Sequence, residues 1–152
     1  RVHAAGRVPL TTEEITRIEA WIEKIVDEYH LANVQSRQKQ YVIHPPWEDR
    51  RDPNTGVRRY RRFSCAGFVL DAYSQVDIEL LEIEEAALPE VDRETLLVAY
   101  PRIDRVDLGR FGLHGDGPWQ IVLAGYVLHA LNRATQEVHQ EPYRAKPGNG
   151  FF

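Results

Sequence analysis

The chain has 152 residues, 43% of them hydrophobic and 28% charged, with a net charge of −4 and a single cysteine, Cys65. These proportions describe one domain over residues 1–152, with enough chain for a real core. They exclude an internal disulfide and a thiolate zinc cluster, and no apolar run approaches the roughly 20 residues that cross a bilayer, so no membrane partner is expected.

Thr11 and Glu14 stand three apart as the hydroxyl and carboxylate of a capping box. Apolar residues follow at Ile15, Ile18, Trp21, Ile22, Ile25, Val26 and Tyr29, a spacing of three and four that predicts an amphipathic helix over 12–31 with its tryptophan in the core. Residues 35–40 are polar. Tyr41-Val42-Ile43-His44 predicts a short strand, stopped by Pro45-Pro46 because proline has no amide for a ladder. The turn formers Asp52-Pro53-Asn54-Thr55-Gly56 lie in a long loop, after which 57–63 returns as a strand in a hairpin with 41–44. Ser64 then caps a helix that opens on Cys65 and is pinned to the core through Phe68, Val69, Ala72 and Tyr73.

A helical stretch over 79–87 ends at Leu88-Pro89, and a short helix follows over 93–100. Residues 102–111 carry no clear pattern. Gly115-Asp116-Gly117-Pro118 is a turn, and the β-branched and aromatic run 119–130 predicts one or two strands broken at Gly125, with a helix as the competing reading. Residues 142–152, with two prolines and two glycines, read as an extended or loose tail. The chain begins at Arg1 and holds no methionine, which reads as a processed or excised piece of a longer protein.

The charge is unevenly spread. Arg50, Arg51, Arg58, Arg59, Arg61 and Arg62 fall within thirteen residues, and Asp77, Glu79, Glu82, Glu84, Glu85, Glu90, Asp92 and Glu94 within eighteen. The plain expectation is that the two segments face solvent or each other. The functional expectation is an arginine-lined rim for an anionic substrate group, since guanidinium forks suit carboxylates and phosphates. Arg59, Tyr60 and Arg61 are the candidate substrate-binding residues. No specific nucleic-acid partner is expected, because the chain is acidic and the arginines have only Tyr60 and Phe63 for stacking.

A thiol at a helix mouth is a candidate nucleophile, because the unpaired amides and partial positive charge there stabilise a thiolate. The competing reading is a buried cysteine packing as a small apolar group. Thiol hydrolysis also needs an imidazole base and a group that orients it. His3, His30 and His139 sit at a terminus, a helix end and the tail. His44 precedes a double proline and the thiol itself, while His114 and His129 follow Cys65 in contexts that can project into a cleft. The histidine spacings match no metal motif, and no cofactor is expected.

The string Phe63-Ser64-Cys65-Ala66-Gly67-Phe68-Val69 with Tyr73 resembles the helix start of NlpC-type cell-wall peptidases, members of the papain-like thiol hydrolase superfamily. Ser64 stands where that family prefers aspartate, and Ala66 where it prefers serine. The resemblance covers 57–73 and 114–130. It implies an α+β papain-like fold, with N-terminal helices packed on a small antiparallel sheet, and a hydrolase cleaving an amide or peptide bond in a cell-wall peptide-like substrate bearing an anionic group. By the same resemblance Cys65 is the nucleophile, His114 the base and His129 its orienting partner, in an exported or periplasmic setting. His129 itself as base, with Asp116 or Gln120 nearby, stays open. So does a catalytically inactive binding or structural module on the same fold.

Overall fold

The structure, a computed structural model, describes residues 9–101 and 108–150; His3, most of the 102–111 segment and the last two residues of the tail lie outside them. Helix α1 runs Thr12–Leu31, the span its apolar spacing predicts, and starts in a complete capping box. The Glu14 amide donates to Thr11 Oγ1 (3.2 Å) and the Thr11 amide to Glu14 Oε2 (2.7 Å). Two donors that would otherwise lack partners are satisfied, and the Thr11 amide holds the Glu14 carboxyl below its ordinary value. Trp21 meets Phe63 and Phe68 at centroid distances of 5.9 and 5.1 Å, and those two rings meet at 5.4 Å. Each such pair contributes about 0.5–1.5 kcal/mol beyond buried area, so this cluster binds α1 to the hairpin and helix that follow.

A four-residue helix α2 (Arg37–Gln40) breaks the polar stretch. Strand β1 (Trp47–Arg51) pairs antiparallel with β2 (Arg58–Phe63), setting Asp49 opposite Arg61 and Glu48 opposite Arg62. The hairpin partner of β2 is therefore not 41–44; Tyr41 makes only an isolated parallel bridge to Phe63. Two forces select 47–51 instead. Its carboxylates bond across the strands to arginines, Asp49 to Arg61 at 2.7 Å and Glu48 to Arg62 at 3.2 Å. The Asp52 carboxylate also accepts from the Asn54 and Thr55 amides (2.9 and 3.0 Å), closing the turn with Gly56 at φ +70°. Val42 and Ile43 are buried in the core, and the Ile43 and His44 amides both donate to the Phe111 carbonyl.

Helix α3 (Cys65–Ser74) begins at Ser64, whose hydroxyl accepts from the Gly67 amide at 2.8 Å. Gly67 is glycine for steric reasons: a Cβ there would lie 1.8 Å from the Pro46 carbonyl oxygen. The acidic 79–87 stretch is extended, with one 3-10 turn at Glu85–Ala87 in place of a helix. Ile78, Leu80 and Leu81 are buried there, and Leu81 bridges Tyr143. Helix α4 (Arg93–Ala99) is capped by the Asp92 carboxylate.

The run 119–130 is corrected: only β4 (Trp119–Gln120) is strand, pairing with β3 (Glu90–Val91), and Ala124–Leu131 is helix α5. Its Tyr126, Val127 and Ala130 are buried at helical spacing, and α5 packs on α3. The β-branched content signalled strand, but burial of this stripe decided the matter. Gly125 touches the Gly150 backbone, and the Tyr143 amide donates to Leu80, so the closing segment is extended and docked on the body. The whole is α+β with two small antiparallel sheets.

Helix α6 (Thr135–Gln140), which carried no sequence signal, ties the C-terminal part to α1. His139 Nδ1 lies 2.8 Å from the Thr135 carbonyl and Nε2 3.1 Å from Glu14 Oε1. Both neighbours accept, so the doubly protonated ring is favoured, and the Thr135 carbonyl first, then Glu14, raise the His139 pKa. A raised folded-state value stabilises fully below the unfolded pKa of about 6.5 and is lost as pH rises through the folded one; the depressed Glu14 value removes its share as pH falls through it. We expect His139→Ala to cost under about 1 kcal/mol near pH 5.5 and close to nothing near pH 9, since the pair is solvent-screened. Urea unfolding at the two pH values checks this; an equal loss at both would assign the effect to packing.

Candidate functional site

Alternation along the hairpin, reset by a bulge at Arg59 that turns Arg58 to the same side as Arg61, sorts its charges onto opposite faces. On one face Arg58 reaches Glu28 and Asp49, and Arg61 bridges Asp49 (2.7 Å) and the buried Asp71 (2.9 Å). Arg61 holds the Asp49 carboxyl below its ordinary range. This network links α1, β1, β2 and α3, so Arg61 is an internal strut, with its guanidinium 6.0 Å from the Trp47 ring.

The other face opens on a cleft of about 1090 Å³. Among the described residues, five cationic side chains line it, Lys39, Arg50, Arg59, Arg62 and Arg110, against one carboxylate, Glu48; Asn33, Tyr60, His44 and His114 add to its polar wall. Arg62 is buried and holds the wall together. It donates to the Tyr41 carbonyl, to the Arg110 carbonyl at 3.0 Å and to Glu48 at 3.2 Å. Burial lowers the Arg62 pKa. Gly112 completes the junction: at φ +84°, a Cβ there would lie 1.6 Å from the His44 carbonyl oxygen. His44 and His114 thus project into the same cleft from two backbone segments locked together. His44 Nδ1 is buried without a hydrogen-bond partner, and its Nε2 lies 3.9 Å from Glu85.

The arginine segment therefore does not neutralise the acidic 77–94 run. Its ion pairs go to α1, to its own hairpin and to α3, whereas Asp77 pairs with Arg17 and Glu82 with Arg144. Cross-strand neighbours are close by construction, and the acidic run is held elsewhere by its buried leucines.

Cys65 stands apart from the cleft lining, as the exposed first residue of α3. Tyr41 and Tyr100 are ionisable neighbours of the thiol; burial raises the Tyr41 pKa and pushes Tyr100 up to about 12, so neither phenol serves as a base there. His114 is exposed, and its carbonyl accepts from Trp119 Nε1 at 2.9 Å. His129 lies in the last turn of α5, stacked on Tyr143 at 6.2 Å between centroids. The structure brings Arg59, Tyr60 and His114 to one cleft, and places Cys65, Arg61 and His129 elsewhere. Among the described residues, neither His114 nor His129 shares a hydrogen bond, ion pair or ring contact with the thiol.

Lys39, Arg50, Arg62 and Arg110 are cationic cleft residues that the candidate set lacked. Strand alternation separates Arg62 from Arg61 by itself; Lys39 and Arg110 join from distant segments and carried no local signal. Among the described residues no three His, Cys, Asp or Glu side chains converge as a metal site, and no helix is long and apolar enough to cross a membrane. No family model, curated protein or solved structure matches this chain.

Proposed function

We propose that the chain is a binding module that takes an anionic ligand into the cleft between the hairpin, His44 and His114. The observation that carries this is the convergence of Lys39, Arg50, Arg59, Arg62 and Arg110 on a cleft where, among the described residues, Glu48 is the one carboxylate, in a chain whose net charge is −4. Concave walls with low dielectric focus such a field and raise the local concentration of anions. Titration calorimetry with citrate and with pyrophosphate at low ionic strength tests the reading. Binding should weaken as salt screens the cleft, and Arg59→Glu should weaken it about tenfold or more while leaving thermal unfolding unchanged. Arg59 is exposed and at a strand edge, so its loss removes field and not packing. Absence of heat with both anions would end the proposal.

A second reading, thiol hydrolysis of an amide or peptide bond, is supported by the exposure of Cys65 at the mouth of α3. In it the thiolate attacks the carbonyl carbon, and the Cys65 amide donates to the developing oxyanion. An imidazole, His114 or His129, takes the thiol proton and returns it to the leaving amine; water then releases the acyl group. The rate of native-state alkylation by iodoacetamide against pH tests it. The reading expects a midpoint well below the free-thiol value of about 8.5 that shifts in His114→Ala or His129→Ala. A midpoint near the free value, indifferent to both substitutions, would mark Cys65 as a plain surface thiol.

A further inference from the structure

Resting on the anion-binding reading above, we propose that the ligand of this cleft is a diphosphate group, either free or as the phosphate chain of a nucleotide. Three observations favour phosphate over carboxylate. The first is charge density. With Arg110 left aside, the described lining still holds three more cations than carboxylates, Lys39, Arg50, Arg59 and Arg62 against Glu48, so the cleft suits several negative charges in a small space. A carboxylate brings one charge on two oxygens, whereas a phosphate monoester group brings about −1.5 to −2 on three acceptor oxygens.

The second is the disposition of the donors. Glu48 already fixes Arg50 (3.3 Å) and Arg62 (3.2 Å), so those guanidinium groups are held in place before any ligand arrives. Arg59 and Lys39 form no ion pair among the described residues. Fixed forks backed by uncommitted cations match tetrahedral oxygens presented in several directions. A planar carboxylate would leave part of that donor set unused.

The third is the pair of histidines. His44 and His114 face one cleft because the backbone at Gly112 abuts the His44 carbonyl. Two imidazoles on one wall add ring N–H donors for phosphoryl oxygens beside the arginine forks. The volume of about 1090 Å³ also exceeds what a single phosphate would fill, and lies at the upper end for small-ligand sites.

Calorimetric titration with inorganic pyrophosphate, ADP and citrate at matched ionic strength tests the inference, citrate serving as a polycarboxylate of similar charge. The expected result is pyrophosphate binding about tenfold tighter than citrate. Arg59→Ala should weaken it about tenfold and His114→Ala measurably, with circular dichroism and the unfolding midpoint unchanged. ADP binding tighter than pyrophosphate identifies a nucleotide as the source of the phosphates; equal affinities identify the diphosphate itself. Citrate binding as tightly as pyrophosphate overturns the phosphate assignment and leaves the anion cleft standing. If neither binds, both the inference and the reading beneath it fall. Tight pyrophosphate binding that ignores Arg59→Ala also overturns it, because the anion would then be held elsewhere.

Discussion

Gly112→Ala should destabilise the protein by about 4 kcal/mol or more. Two costs add. The backbone at 112 has φ +84°, where an alanine is strained by roughly 1–2 kcal/mol. The new Cβ would also sit 1.6 Å from the His44 carbonyl oxygen, a contact relieved only by parting two backbone segments. Parting them breaks the bonds from the Ile43 and His44 amides to the Phe111 carbonyl, at 2.9 and 3.1 Å. Those bonds seat His44 against the segment that carries His114, so anion binding should fall together with stability. Denaturant unfolding gives the first quantity and pyrophosphate calorimetry the second. A loss below about 1 kcal/mol would show that the junction can open at little cost, and would remove the argument for a preformed cleft.

Arg62→Met should cost about 3–5 kcal/mol, the usual consequence of stripping one partner from a buried charged network. Methionine keeps most of the apolar stem, so the change isolates the guanidinium. Without it the Tyr41 and Arg110 carbonyls lose their shared donor, and Glu48 keeps only Arg50 of its two arginines. Each buried acceptor left unpaired costs about 1–3 kcal/mol. For a domain of this length the melting point should fall by roughly 10 °C. Arg62→Lys should recover part of the loss only, because an ammonium group lacks the fork that serves two carbonyls and a carboxylate together. Full recovery with lysine would mean that charge alone matters, and the account of Arg62 as a geometric clamp would fail. Asp49 and Arg61, on the opposite face, share no partner with Arg62, so their substitutions should add to Arg62→Met nearly independently.

Much of the candidate site was legible in the residues themselves, but its division was not. The arginine cluster marked the hairpin as a place for anions, and Arg59 and Tyr60 do line the cleft. Arg61, one residue on, faces the other way and is tied to Asp49 and Asp71. Only the pairing partner and register of β2 decide which arginine is strut and which is rim. The hydrophobic pattern of 41–44 offered a plausible partner strand, yet those residues are core, and the polar 47–51 took the ladder through its carboxylates.

What the sequence determined by itself is local. The capping box, the apolar stripe of α1, the Ser64 cap that places Cys65 at a helix mouth and the short helix beginning at 93 each depend on contacts within one or two turns of chain, and each is present as read. What only the tertiary structure decided is non-local: the helix at 124–131 over a strand, the docking of Tyr143 on Leu80 and of Gly150 on α5, and the placing of Arg59 in the cleft and Arg61 in the opposite network. The physical reason is the range of the forces involved. Backbone capping and side-chain periodicity act between near neighbours, whereas burial and ion pairing choose among distant partners that a linear reading presents as equals.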